Sequence, residues 1–357
     1  MGELRLMKGN EALAEAAIRA GMDAYFGYPI TPQSEILEYL TREAQKRTQC
    51  TILQAESEIA SINMVYGAAG AGKRVMTTSS SPGISLMQEG LSYIAGAELP
   101  CLLVNINRGG PGLGTIQPSQ GDYFQSVKGG GHGDYRLIVL APATVQEMAD
   151  FVEVGWDLAD KYRNPVLILS DGALGQMMEK VELREQRDRN AREIPSWSTI
   201  GKTADRKRNI ITSLFIQSEE MEQVNLRLQE KYKLIEKNET RVQESNTEDA
   251  DFIIVAYGLS ARIGRKVMEM LREEGMKVGL IRPITLWPYP YEAISKAAEQ
   301  VKGFLSLELN AGQMVEDVRL GVNGRCPVGH YGRMGGIIPS PEEVVAVVKD
   351  MYSKTNH

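Results

Sequence analysis

Cysteine is scarce in this chain. Cys50, Cys101 and Cys326 are the only three among 357 residues, far apart and never spaced Cys-x-x-Cys. An iron–sulfur cluster takes four thiolates, so the chain holds none unaided. Long apolar runs are also missing: none approaches the ~18 residues of a membrane span. Met1 to Asn10 lacks the basic-then-apolar order of a secretory signal. These absences predict a cytoplasmic protein with no membrane partner. Positive charge is not in excess either. With a net charge of −6 and a pI near 5.4, the chain has no concentrated basic footprint for nucleic acid. The modest cluster Lys202, Arg206, Lys207 and Arg208 reads as a solvated face. No Gly-x-Gly-x-x-Gly opens a helix, and Gly67 to Lys73 only mimics a phosphate loop, because Arg74 stands where Ser or Thr is required.

What is present is ordinary globular usage, 43% hydrophobic and 24% charged, in a chain long enough for two or three cores. Short apolar strands alternate with helices from residue 11 to 170. Asn10 is expected to cap a helix to Ala20, with Gly21 as its left-handed stop, and Pro32 to sit in the first turn of a helix from Gln33 to Lys46. Strands at 23–27, 51–55, 74–79, 101–107, 136–141 and 165–170 separate the helices. This alternation predicts an α/β fold with a doubly wound parallel sheet in residues 1–182. Residues 183–249 are charged and poor in apolar residues, apart from Met221, Val224, Leu228, Tyr232 and Ile235 at roughly heptad spacing; they read as a linker carrying an amphipathic helix. Residues 250–357 form a second, smaller α/β unit, with Ser260 expected to cap its first helix.

The chain is organised around Gln54 to Ser61, where a strand gives way to a helix and Glu58 falls in the first turn. Tyr28-Pro29-Ile30-Thr31-Pro32 and Arg108-Gly109-Gly110 follow other strands of the same expected sheet. Ligands collect outside the carboxyl ends of such strands, so a glutamate, a threonine and an arginine should face one crevice. Each residue type also has a purely structural use. Glu58 complements a helix dipole, Thr31 is a natural N-cap before Pro32, and Arg108 can be an exposed loop residue. Glu56 is the rival carboxylate, two residues upstream. The loop from Gly109 to Gly133 carries nine glycines, and long loops of this kind are usually functional or mobile. Its one histidine, His132, is more simply an exposed residue than a ligand.

In order and wording, Tyr28 to Pro32, Gln54 to Ala60 and Asn107-Arg108 resemble the alpha subunit of thiamine-diphosphate-dependent 2-oxoacid:ferredoxin oxidoreductases. The likeness is close from residue 5 to 180 and looser from 250 to 345. It implies a pyrimidine-binding thiamine diphosphate domain followed by a transketolase C-terminal-like domain. Glu58 matches the glutamate held against N1′ of the aminopyrimidine, where a hydrogen bond favours the tautomer whose 4′-nitrogen removes the thiazolium proton. Thr31 and Arg108 match the substrate threonine and arginine, and Tyr28, Pro29 and Ile30 match the cofactor-side loop. Arginine suits a 2-oxo acid because its planar fork meets a carboxylate with two prongs.

Further implications rest on the same resemblance. Ser170-Asp171-Gly172 is only a strand end and not the Gly-Asp-Gly, with a later asparagine, that holds magnesium and diphosphate. A beta subunit is therefore expected to complete the site with Mg2+, and no metal ligand is expected here. [4Fe-4S] clusters, coenzyme A handling and transfer to ferredoxin fall to partner subunits. Residues 5–40 and 109–125 look most like members that oxidise 3-methyl-2-oxobutanoate to acyl-CoA and carbon dioxide. Members acting on 2-oxoglutarate are the near alternative, and a non-catalytic α/β protein that binds a ligand or partner is the distant one. A self-sufficient thiamine enzyme would need the absent diphosphate motif.

Overall fold

The computed structural model of the chain describes residues 3–202 and 204–354. The first unit runs β1 (Glu3–Lys8), α1 (Gly9–Arg19), β2 (Ala24–Gly27), α2 (Ser34–Thr48), β3 (Thr51–Gln54), α3 (Glu58–Gly70), β4 (Val75–Ser79), α4 (Ser81–Gly96), β5 (Cys101–Asn107), α5 (Tyr123–Val127), β6 (Ile138–Leu140), α6 (Val145–Tyr162), β7 (Pro165–Asp171), α7 (Gly172–Gln176) and β8 (Met178–Leu183). After an irregular stretch comes α8 (Ser218–Glu239). The second unit runs β9 (Val242–Ser245), β10 (Phe252–Val255), α9 (Gly258–Glu273), β11 (Val278–Pro283), β12 (Thr285–Trp287), α10 (Tyr291–Ala297), β13 (Gly303–Glu308), α11 (Met314–Val322), β14 (Val328–Gly332) and α12 (Pro341–Lys354).

The central strands β4, β5 and β7 are buried along their whole length. Strands covered on both faces belong to parallel sheets packed between helices. The order β12-β6-β7-β5-β4-β2-β3 is parallel except at the β12 edge, so the doubly wound sheet is as expected. The second sheet, β14-β13-β10-β11-β9, is parallel except at β9. Strand pairing crosses the units: β12 extends the first sheet and β9, directly after α8, extends the second. The stripe of α8 buries Val224, Leu228, Tyr232 and Ile235 against the chain's own units; the Tyr232 ring meets Trp287 edge-on, with centroids 5.6 Å apart.

Three capping expectations are corrected. Asn10 lies inside α1, whose N-cap is Lys8, and its amide donates to Pro32 O at 2.9 Å and to Glu35 at 2.7 Å. Neither Pro32 nor Thr31 starts α2: the N-cap is Gln33, which is fully buried and reaches Tyr28 O and Thr78 instead of an end-of-helix amide. Ser260 sits within α9 and donates to Gln120 at 2.8 Å. For Asn10 and Ser260 a long-range partner takes the side chain that local geometry would have used as a cap. Asp171 is more than a strand end. It is fully enclosed, caps α7 through Ala173 and Leu174 N–H, and also receives Leu259 N–H. Burial pushes its carboxyl up to about 6 despite those bonds.

The glycine-rich loop is pinned to the second unit. Gln120, 3% exposed, donates to Tyr257 O at 2.9 Å and accepts from Ser260 Oγ and from Leu309 N–H at 2.9 Å. Gln313 donates to Gly121 O at 2.8 Å and accepts from Phe124 N–H at 2.8 Å. Tyr123, Lys128 and Tyr291 all converge on the buried carboxylate of Asp317. Replacing Gln120 by leucine keeps the volume but strands Ser260 Oγ and Leu309 N–H, and each such group costs about 1–3 kcal/mol when left unpaired. Gln120→Leu is therefore expected to lower stability by at least about 2 kcal/mol and to separate the unfolding of the two units in a urea titration. A single transition with an unchanged midpoint would contradict this account of the docking.

Candidate active site

Four strand ends stand side by side in the order β5-β4-β2-β3, and each delivers a polar residue to the same edge. The β3 end turns through Ser57, whose hydroxyl accepts from Ala60 N–H at 3.2 Å and caps α3. That cap sets Glu58 at the first helical position, 6% exposed. Its carboxylate has neither a hydrogen bond nor an ion pair among the described residues. Glu56 is exposed and accepts from Ser57 Oγ at 3.2 Å, so the two carboxylates have opposite environments.

Glu58 can lie where it does because position 83 has no side chain. A Cβ on Gly83 would collide with Ser79 Oγ and stand 2.6 Å from Glu58 Oε1. Ser79 Oγ and Ser80 Oγ are buried there without partners among the described residues. A buried polar group normally has a hydrogen-bond partner; a buried carboxylate and orphan hydroxyls at one strand edge suit a polar ligand.

Across the β4–α4 turn, Arg108 is half-buried at the end of β5. Its guanidinium donates to Thr31 O at 2.9 Å and to Leu113 O at 3.1 Å, while Nε is buried without an acceptor among the described residues. Thr31 and Arg108 are thus in direct contact. Glu58 has no hydrogen bond to either among the described residues; the first turn of α4 meets Glu58 at Gly83 and Arg108 at Ser81. Thr31 itself is exposed, as are Tyr28 and Pro29, with Ile30 half-buried. Gln33 holds this loop from beneath, with its amide on Tyr28 O and its backbone N–H on Ile30 O at 3.0 Å. Gln33 was not foreseen, since nothing in its local sequence separates it from a surface glutamine.

Beside Thr31 lies a cavity of about 590 Å³, walled by Pro32, Ile116, Pro118 and Ile338. Its charged wall residues are Glu35 and Glu38; it has no lysine, arginine or histidine among the described residues. Cys50, Cys101 and Cys326 are free thiols, and no group of three or more His, Cys, Asp or Glu among the described residues is placed to hold a metal. Nor is any described helix long and apolar enough to cross a membrane.

Residues 15–247 match the thiamine-diphosphate-binding domain of the pyruvate flavodoxin/ferredoxin oxidoreductases, and residues 250–344 match pyruvate:ferredoxin oxidoreductase core domain II. This chain belongs to the 2-oxoacid:ferredoxin oxidoreductase family. The ketoisovalerate oxidoreductase subunit VorB of Methanothermobacter marburgensis is 48% identical over 352 residues, covering 99% of both chains. The 2-oxoglutarate synthase subunit KorA of Methanocaldococcus jannaschii is 36% identical, covering 97% of this chain and 99% of its own. Among solved structures, a 2-oxoglutarate:ferredoxin oxidoreductase from Magnetococcus marinus, with 2-oxoglutarate, coenzyme A and succinyl-CoA bound, superposes with a TM-score of 0.86 at 29% identity. The alignment takes in 98% of this chain and 65% of that one. A split-gene transketolase aligns at a TM-score of 0.60 and 14% identity, a likeness of fold alone. The family resemblance read from Tyr28 to Pro32, Gln54 to Ala60 and Asn107-Arg108 is borne out.

As a member of the 2-oxoacid:ferredoxin oxidoreductases, the chain carries the thiamine-diphosphate-binding domain, and a partnerless buried carboxylate beside Gly83 fits a ring-nitrogen donor. Gly83→Ala should leave the fold intact, displace Glu58, and cost roughly 10- to 100-fold in activity through that misplacement. Titrating thiamine diphosphate into the assembled enzyme and its Gly83→Ala variant checks this. Equal affinity and equal turnover would remove Gly83 from the site.

Proposed function

We propose that this chain is the pyrimidine-binding subunit of an enzyme that oxidatively decarboxylates 3-methyl-2-oxobutanoate to the acyl-CoA and carbon dioxide, with ferredoxin as electron acceptor. The observation that carries the reading is Glu58, buried and unpartnered among the described residues at a strand's carboxyl end. When bound, thiamine diphosphate supplies the electron sink for decarboxylation. Glu58 holds the proton shared with N1′ of the aminopyrimidine, and Tyr28, Pro29 and Ile30 line the cofactor's side. Arg108 turns its fork to the substrate carboxylate. That bond is charge-assisted and planar, so it fixes orientation as well as affinity. Thr31, locked to Arg108 through its own carbonyl, presents its hydroxyl beside the keto group.

The branched substrate is favoured by two observations. The relatives matched at 48% identity are ketoisovalerate oxidoreductase subunits, against 36% for a 2-oxoglutarate synthase subunit. The cavity beside Thr31 has an apolar wall of Pro32, Ile116, Pro118 and Ile338, which suits an uncharged side chain, and its Glu35 is already paired with Lys8 at 3.4 Å. The remaining machinery is assigned to other cytoplasmic subunits. A beta subunit supplies Mg2+ and diphosphate ligands, and others carry [4Fe-4S] clusters and coenzyme A. Next to Glu58, α3 and α4 leave Ile59 and Leu86 about half exposed, at 51% and 50%, on the side where the beta subunit would close the site.

The test is anoxic, substrate-dependent dye reduction with thiamine diphosphate, Mg2+ and coenzyme A, for the chain alone and for the co-expressed complex. Activity is expected only in the complex, greater with 3-methyl-2-oxobutanoate than with 2-oxoglutarate. Glu58→Gln should cost about 10²-fold or more in turnover, as loss of a proton-handling group does. Arg108→Ala should raise the KM for the 2-oxo acid roughly 10- to 100-fold, the value of a hydrogen bond to a charged group. Full activity of the isolated chain would refute the shared site. Indifference to Glu58→Gln would favour a non-catalytic binding role.

A further inference from the structure

We infer that Asp122, in the glycine-rich loop, is a positioning residue for Arg108, acting through Ser81 and Asn105. The inference rests on Arg108 being the carboxylate-binding group. Asp122 is 41 residues from Ser81 in α4 and 17 from Asn105 in β5, yet the three segments meet at its Oδ2. Ser81 Oγ, in the first turn of α4, donates to it at 2.7 Å, and Asn105 Nδ2, near the end of β5, donates at 2.8 Å. Ser81 Oγ in turn accepts Arg108 N–H at 3.0 Å, and Asn105 Oδ1 accepts Ser81 N–H at 3.1 Å. Asp122, Asn105 and Ser81 therefore form a closed ring of bonds, and the backbone of Arg108 hangs from it.

The ring is buried at Asn105 and half-buried at Ser81 and Asp122. Asn105 is fully buried, and burial raises the Asp122 carboxyl above its usual range against the bonds from Ser81 and Asn105 that lower it. Of the acceptors around Ser81 Oγ, Asp122 at 2.7 Å is nearer than Arg108 O at 3.2 Å and Asn107 Oδ1 at 3.4 Å, so the position of Asp122 sets how Ser81 meets Arg108. The position of Asp122 is itself imposed from the second unit. Gly121 O and Phe124 N–H, on either side of it, are both held by Gln313, and Gln120 is held by Leu309 and Ser260. The docking of the second unit thus reaches the β5 end through Asp122, beside the bridge of Arg108 to Pro118, where Gly109 N–H donates to Gln117 O at 3.0 Å. The guanidinium lies several bonds beyond the anchored backbone, and misplacement of about 1 Å in such a group costs up to 10²-fold.

The experiment compares Asp122→Asn, Ser81→Ala, the double variant Asn105→Asp/Asp122→Asn, and Arg108→Ala, each in the assembled complex with melting temperature and thiamine diphosphate affinity recorded. In Asp122→Asn the amide oxygen takes the place of Oδ2 and still accepts from Ser81 Oγ and Asn105 Nδ2, but the acceptor has lost its charge. The double variant reverses the polarity: the amide introduced at position 122 donates to the carboxylate introduced at position 105 and to Ser81 Oγ, whose hydrogen turns to Arg108 O, 3.2 Å away. The KM for 3-methyl-2-oxobutanoate is expected to rise about 10-fold in Asp122→Asn and Ser81→Ala, the worth of one charge-assisted bond. It should return toward the parent value in the double variant, while the KM for coenzyme A and the cofactor affinity stay unchanged. A purely structural role would lower stability and move all three constants together, which overturns the inference. If Asp122→Asn does not assemble, Ser81→Ala carries the same comparison. Should Arg108→Ala raise the 2-oxo acid KM while neither Asp122→Asn nor Ser81→Ala does, only the positioning inference falls. If Arg108→Ala itself leaves that KM unchanged, the reading of Arg108 falls and this inference with it.

Discussion

The first turn of α4, from Ser81 to Gly83, is the wedge on which the site's geometry depends. On one side its glycine gives way to Glu58, and on the other its serine holds Arg108. A doubly wound sheet makes this possible, because adjacent parallel strands end at one level and their loops must share the space above the edge. Here β4 lies between the strand that bears Arg108 and the strand that precedes Thr31, and its turn into α4 meets Glu58 at Gly83 and Arg108 at Ser81. Its residue types follow from that place. One small hydroxyl is needed where backbone must be held and no side chain where a carboxylate must pass.

The second unit matters to the site although it contributes none of the three residues. Its β13–α11 loop is made rigid by Glu308, which is fully buried and collects the N–H groups of Gln313, Met314 and Val315. That loop offers Leu309, Asn310 and Gln313 to the glycine-rich loop, which is too poor in side chains to hold a shape alone. A segment with nine glycines loses more backbone freedom on ordering than an average segment, and the interunit bonds offset that cost.

The regular elements were legible because period-2 and period-3.6 patterns survive in buried segments. β5 and β7 are apolar throughout most of their length and α8 keeps its stripe. The strands that escaped, β1, β8, β9, β12 and β14, are short edges of three to six residues with mixed polarity. Their pairing partners lie far along the chain, and pattern within the segment carries no trace of them. Glu58 and Arg108 were visible through strand-end position and family wording. Gln33, Ser81, Asn105, Gln120 and Asp122 were not, since a polar side chain in a loop looks the same whether it faces water or a partner a hundred residues away. Asn10 and Ser260 failed as caps for the same reason.

A carboxylate buried without a partner is unfavourable in isolation, because the water it gives up is replaced by nothing. Glu15, fully buried on the far side of the fold, shows how this chain resolves the problem where no ligand is involved: Arg19, Arg47 and Tyr39 all reach it. Glu308 receives three backbone N–H groups and a serine hydroxyl, and Asp317 receives a lysine and two tyrosines. Against that background Glu58 is the exception. The same fold that pairs each of these other carboxylates leaves this one open at a strand's carboxyl end, beside two serine hydroxyls that are orphaned among the described residues. Its carboxylate is left free to take a donor from outside the chain, which is what the proposed cofactor contact requires.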